Sequence, residues 1–140
     1  MKIFVYGTLK KGFGNHRVLG DAKFLCEDIT LYPYIMLDAG FPVVLPRASR
    51  GHDASGVGAG FITGEVYEIP DDEHGANVLS SLDGLEGEGR MYHRRVTMTQ
   101  GGHMVSMYIG DSDCWRNHPR DISKSTCVKV NGNTVTYVRD

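Results

Sequence analysis

No basic stripe runs along this chain of 140 residues, whose formal net charge is −2. Binding through nucleic-acid phosphates needs clustered lysine and arginine. The longest basic clusters are the pairs Lys10-Lys11 and Arg94-Arg95, so no nucleic-acid partner is expected. Paired cysteines are also lacking. The three present, Cys26, Cys114 and Cys127, are an odd count at wide spacing with no C-x-x-C, which excludes a disulfide framework and fits a reducing compartment. No apolar run approaches the ~20 residues that span a bilayer. After Met1-Lys2 the run Ile3-Phe4-Val5 ends at Tyr6-Gly7, too short for a secretory leader. The expected location is the cytoplasm, with no membrane partner.

Metal and nucleotide motifs are missing as well. Gly7 and Gly12 have the glycine spacing of a phosphate-binding loop, but Phe13-Gly14 follows where that loop needs Lys and then Ser or Thr. The six histidines never pair at i, i+4 and have no cysteine partners at finger spacing, so zinc is not expected. Cys114 and His118 are four apart in a stretch without periodicity, a weak basis for a cysteine nucleophile. The expectation is a protein without cofactor or metal.

What is present is ordinary globular composition. Hydrophobic residues make up 41% and charged residues 23%, enough apolar content for one packed core, and residues 1–140 read as a single domain. Eighteen glycines between short β-branched and aromatic runs predict a strand-rich fold with tight turns. Ile3 to Tyr6 reads as a buried strand, and Asn15 as the cap of a short helical turn through Leu19. Phe24 to Met36 reads as extended. Pro46 to Gly60 reads as a long loop carrying Arg47, Arg50 and His52, a length typical of a lid or of disorder. Phe61 to Ile69 is a strand. Pro70-Asp71-Asp72 then opens a helix from Asp72 to Leu85 with Val78, Leu79, Leu82 and Leu85 on one face. Met91 to Met98 and His103 to Ile109 are two strands around Gln100-Gly101-Gly102. Asn131-Gly132 marks a terminal hairpin. The fold class is α+β: a small mixed, strand-rich barrel with one or two packed helices.

Four stretches carry a more specific pattern. FVYGTLKKGFGNHRVL near the start, GFPVVLP at 40 to 46, GEVYEI at 64 to 69 and LDGLEGEGRMYHRRVT at 82 to 97 resemble, in order and spacing, the γ-glutamylcyclotransferase-like superfamily. The Gly-x-Gly-Asn15-His16 start is most similar to the γ-glutamylamine cyclotransferases. The resemblance covers roughly residues 1 to 109, and the chain departs from the pattern at GDSDCWRNHPRD. It implies an intramolecular acyl transfer: the α-amino group of a γ-glutamyl unit attacks its own γ-carbonyl, forming 5-oxoproline and expelling an amine. The implied partner is a small γ-glutamyl compound.

By matching motif, the resemblance makes Glu86 the catalytic acid and base and Tyr6, Gly7, Thr8 and Leu9 the substrate-binding loop. Tyr92 is a candidate hydroxyl on the cavity wall. Each assignment has a plainer counterpart. Glu86 is one of three acids, with Asp83 and Glu88, at a helix end that could simply be solvated. Tyr6 to Leu9 could be a tight turn, and Tyr92 a half-buried strand tyrosine. A non-catalytic small-ligand binder on the same fold is the alternative reading of the whole protein.

Overall fold

β1 (Lys2–Val5) is buried on both sides, which is why Ile3, Phe4 and Val5 form an unbroken apolar run instead of alternating with polar residues. Its side chains part by the period of two: Ile3 and Val5 enter one core cluster, Phe4 and Tyr6 the other. The structure is a computed structural model and describes residues 1–46, 58–87, 89–115 and 125–138.

A 3₁₀ turn, His16–Leu19, follows β1. β2 (Lys23–Asp38) and β3 (Pro42–Pro46) form an antiparallel pair, and β4 (Gly58–Glu68) lies on the other edge of β2. The helix α1 (Glu73–Glu86), β5 (Tyr92–Met98), β6 (Met104–Gly110), β7 (Val128–Asn131) and β8 (Thr134–Tyr137) complete the order. The main path of the sheet is β3-β2-β4-β1-β6-β5. β4 is long enough to share its second edge, pairing β1 through 65–68 and β8 through Phe61 and Ile62. The sheet curls until Thr30, on β2, bridges Thr99, just past β5, so its two ends approach and the barrel is partly closed. The class is the mixed α+β, strand-rich one that the sequence predicts, with one α-helix among the described residues.

Several boundaries shift. The predicted loop from Pro46 to Gly60 ends early, because Gly58–Gly60 already belong to β4; Arg47, Arg50 and His52 lie outside the described residues, as does His118. Asn15 stands at the cap position of the 3₁₀ turn but makes no side-chain capping bond. Its amide instead donates to the Thr8 hydroxyl at 3.0 Å, tying the turn back to the loop after β1. The Asn131-Gly132 hairpin joins β7 to β8. Among the described residues no helix is long and apolar enough to cross a membrane.

Helix α1 is set by its ends. The Asp72 side chain accepts from Gly75 N at 3.0 Å, and Gly87 stops the helix in the left-handed conformation. Its buried stripe is Gly75, Val78 and Leu82, with Leu79 partly covered. Leu85 does not join it and is 40% exposed.

The two helical glycines differ in what surrounds them. A Cβ on Gly84 would meet nothing within 4 Å, whereas one on Gly75 would run into the Pro70 carbonyl. Gly84→Ala is therefore expected to stabilise the protein by roughly 0.5–1 kcal/mol through helix propensity. Gly75→Ala should destabilise it by about 1 kcal/mol or more, because backbone must move. Urea unfolding of both variants checks the pair, and equal shifts would contradict the packing of α1 on Pro70.

Candidate active site

The strand β1 ends at Val5, and the chain turns at once. Lys10 N donates to Gly7 O at 3.0 Å, closing a turn over Gly7 to Lys10. Asn15 N donates to Thr8 O at 3.1 Å, and the His16 ring donates through Nδ1 to Leu9 O at 2.9 Å. Among the described residues no protein acceptor takes the N–H of Thr8 or Leu9. Leu9 itself is anchored in the core.

This turn is one wall of a cleft of about 210 Å³. Tyr6, Gly7, Thr8 and Leu9 line it, and so do Glu86 from the end of α1 and Tyr92 from the start of β5. All six residues singled out by the sequence therefore meet at one place, although Glu86 is 80 positions from Tyr6. Leu85, Phe41 and Met91 add apolar surface, and Asn15, Pro42 and Tyr108 complete the walls nearest the turn.

Glu86 is half-buried, and burial pushes its carboxyl up from an ordinary 4.5 to about 7. No arginine, lysine or histidine is among the described residues lining the cleft, so no cation opposes the effect. The acid is held in place through its neighbour one turn earlier. Asp83 accepts from Arg94 Nη1 at 2.8 Å on both oxygens and from the Tyr108 hydroxyl at 2.5 Å. These bonds bind the end of α1 to β5 and β6. Of the two adjacent arginines on β5, Arg94 turns to the helix while Arg95 is exposed.

The tyrosines are struts. Tyr6 donates its hydroxyl to Tyr108 O at 2.5 Å, and Tyr92 donates to Pro42 O at 3.1 Å. Both phenols are raised well above their ordinary value, first by burial and then by nearby charge that includes Glu86. Tyr92 is thus neither a half-buried strand residue nor a free hydroxyl: it is 3% exposed and its O–H is engaged. Gly7 has a second reason for lacking a side chain. A Cβ there would strike the ring of Pro42, which packs over the turn.

Sequence reasoning passed over Asp83, Arg94, Tyr108 and Pro42. The motif stretches contained Asp83, Arg94 and Pro42, but nothing local says that Asp83 and Arg94 pair. Tyr108 left no signal beyond a strand aromatic.

Fold and cleft together define an α+β protein in which one carboxylate among the described lining residues, the half-buried Glu86, shares a cleft with a glycine turn. The family model described as "Gamma-glutamyl cyclotransferase, AIG2-like" matches residues 3–126, and the chain belongs to that family. The match runs past Ile109, where the motif resemblance stops. A gamma-glutamylaminecyclotransferase of Bos taurus is 39% identical over 100 residues, covering 66% of this chain and 52% of the relative. The protein of the same name from Homo sapiens is 35% identical over 106 residues, covering 70% and 61%. The chain thus spans between about half and three fifths of the length of these curated relatives. The crystal structure of an AIG2-like protein from Mus musculus superposes with a TM-score of 0.63 at 27% identity, covering 85% of this chain and 84% of that one.

The raised Glu86 carboxyl has a consequence for stability. The native state holds this proton more tightly than the unfolded chain, so stability falls as pH rises from 4.5 to about 7 and stays reduced above. Glu86→Gln removes the charge and with it the penalty. The variant should match the parent near pH 4 and exceed it near pH 8 by on the order of 2 kcal/mol. Chemical unfolding at the two pH values measures this, and a variant no more stable at pH 8 would show that Glu86 is well solvated.

Proposed function

We propose that the protein is a γ-glutamylcyclotransferase that converts γ-glutamyl amines or amino acids to 5-oxoproline and a free amine. The observation that carries this reading is the half-buried Glu86, raised to about 7, in one cleft with the Tyr6-Gly7-Thr8-Leu9 turn. Membership of the family and the names of the relatives support it.

The chemistry needs few parts. Glu86 as carboxylate takes a proton from the substrate's α-ammonium. The freed nitrogen attacks the γ-carbonyl carbon, and the carbonyl oxygen becomes negative. The N–H groups of Thr8 and Leu9, which meet no acceptor among the described residues, suit a carboxylate or that oxyanion. Glu86 gives that proton to the departing nitrogen and, a carboxylate again, takes the second proton from the attacking nitrogen. The carbon–nitrogen bond breaks as the carbonyl re-forms, the released amine picks this proton up, and the neutral lactam remains. A carboxyl near neutrality suits both transfers. Nucleophile and electrophile share one molecule, so holding it folded contributes much of the rate, with effective molarities for such attacks reaching ~10⁵ M or more. Three free cysteines among the described residues suit the reducing cytoplasm as the place of action.

The cleft also bears on the substrate. Its described lining has no cation to grip a carboxylate on the leaving group, while Phe41, Leu85 and Met91 offer apolar contact. γ-Glutamyl amines, including ε-linked γ-glutamyl-lysine, are therefore the preferred class over γ-glutamyl α-amino acids.

Glu86→Gln should lower 5-oxoproline release by at least ~10²-fold with the fold intact, as loss of general acid–base catalysis does. In the parent, kcat/KM should rise with pH through about 7 as Glu86 ionises. Mass spectrometry of a mixed γ-glutamyl library, with and without protein, gives the first readout; a ligand retained but never cyclised would favour a binding protein instead. For specificity, kcat/KM should be higher for a γ-glutamyl amine than for γ-glutamyl-alanine, and the reverse order would contradict the amine assignment.

A further inference from the structure

Three chemistry-bearing side chains outside the cleft come together although the sequence separates them. Cys26 and Asp28 are two positions apart on β2, opposite Val66 and Gly64 of β4. The turn joining β5 to β6 brings in His103. One ligand atom from each of Cys26, Asp28 and His103 lies within 4.8 Å of the others, and none of the three lines the cleft. Cys26 Sγ is 3.6 Å from His103 Nε2. Two ligands sharing a tetrahedral zinc, with bonds of about 2.3 Å to sulfur and about 2.0 Å to nitrogen, stand about that far apart.

Asp28 supplies the second observation. Its Oδ1 accepts from Ile29 N at 2.8 Å and from Gly101 N at 3.1 Å, which fixes the plane of the carboxylate. Its Oδ2 is buried and, among the described residues, has no hydrogen-bond partner. The Thr99 hydroxyl lies close to this carboxylate, yet no bond of good geometry reaches Oδ2. A buried carboxylate oxygen without a donor is costly, and a cation beside it removes the cost.

We infer that Cys26, Asp28 and His103 form a binding site for a divalent transition-metal ion of borderline softness, with Zn²⁺ the best match. Thiolate, imidazole and carboxylate are its donor types, and three protein ligands leave a fourth position open. Asp28 also lines a second cavity, of about 670 Å³, together with Glu27, Glu65, Lys10 and Gly101. The site sits at the seam of the barrel, where β2 meets the β5–β6 turn through the Thr30–Thr99 bridge. A bound ion there staples the seam.

Lys2 is the competitor. Its ammonium donates to His103 Nδ1 at 2.9 Å, which leaves the ring hydrogen on Nε2, toward Cys26 Sγ. A metal on Nε2 moves that hydrogen to Nδ1, where an ammonium, a donor only, finds no acceptor. Metal and the Lys2 contact therefore exclude each other, and removing the lysine tightens binding.

Titrating the metal-free full chain with Co²⁺ should give one equivalent bound, with thiolate-to-cobalt charge-transfer absorption that Zn²⁺ abolishes by displacement. Zn²⁺ should also raise the Tm. Cys26→Ser should remove the absorption while Cys114 and Cys127 remain. Asp28→Asn and His103→Gln should weaken Zn²⁺ binding by ~100-fold or more, and Lys2→Met should strengthen it. Near-ultraviolet circular dichroism reports whether each variant is folded, and the gain expected of Lys2→Met cannot arise from unfolding. No stoichiometric uptake of either ion at micromolar concentration would overturn the site, as would a charge-transfer band that survives in Cys26→Ser. Unchanged affinity in Lys2→Met would overturn the role of Lys2.

Discussion

A carboxyl taken out of water without a cation beside it must hold its proton more tightly or lose stability when it ionises. Glu86 is in that position, because the described lining of its cleft contains aromatic and apolar groups and no arginine, lysine or histidine. Its placement near neutrality follows from burial alone. Much of the surrounding structure is concerned with keeping it there. Gly87 ends the helix directly after it, and Asp83, one turn earlier, is tied to both β5 and β6.

The aromatic residues of the cleft are spent on geometry. Tyr6, Tyr92 and Tyr108 donate their hydroxyls to Tyr108 O, Pro42 O and Asp83 in turn. A chain of contacts thus runs from the turn after β1, through β6, to the end of α1. Pro42 closes it on the other side, lying over Gly7 and accepting from Tyr92. Among the described lining residues, the polar groups that face a ligand include the backbone of the turn, the Thr8 hydroxyl, the Asn15 amide and Glu86.

β1 stands between two core clusters, and its C-terminal end opens into the cleft. The Cys26–Asp28–His103 group lies elsewhere, at the seam where the curled sheet meets itself. An ion there would act on the closure of the barrel and not on the cleft.

What the sequence by itself determined is what depends on near neighbours. The strand Ile3 to Tyr6, the helix opened by Asp72, the Asn131-Gly132 hairpin and the turn at Gly7 follow from side-chain period, capping and turn chemistry, which act over a few residues. The motif stretches also brought Glu86 and Tyr6 to Leu9 into view as candidates. Tertiary structure decided the rest. Leu85 has the helical spacing of a core residue, but it lines the cleft and stays 40% exposed. Tyr92 reads the same in sequence whether its hydroxyl is free or held by Pro42. Asp83 with Arg94, and Cys26 and Asp28 with His103, are pairings across strands whose adjacency is set by the order and curl of the sheet. Periodicity reports which face a residue is on; it does not report which distant residue shares that face, because strand order is chosen by long-range packing.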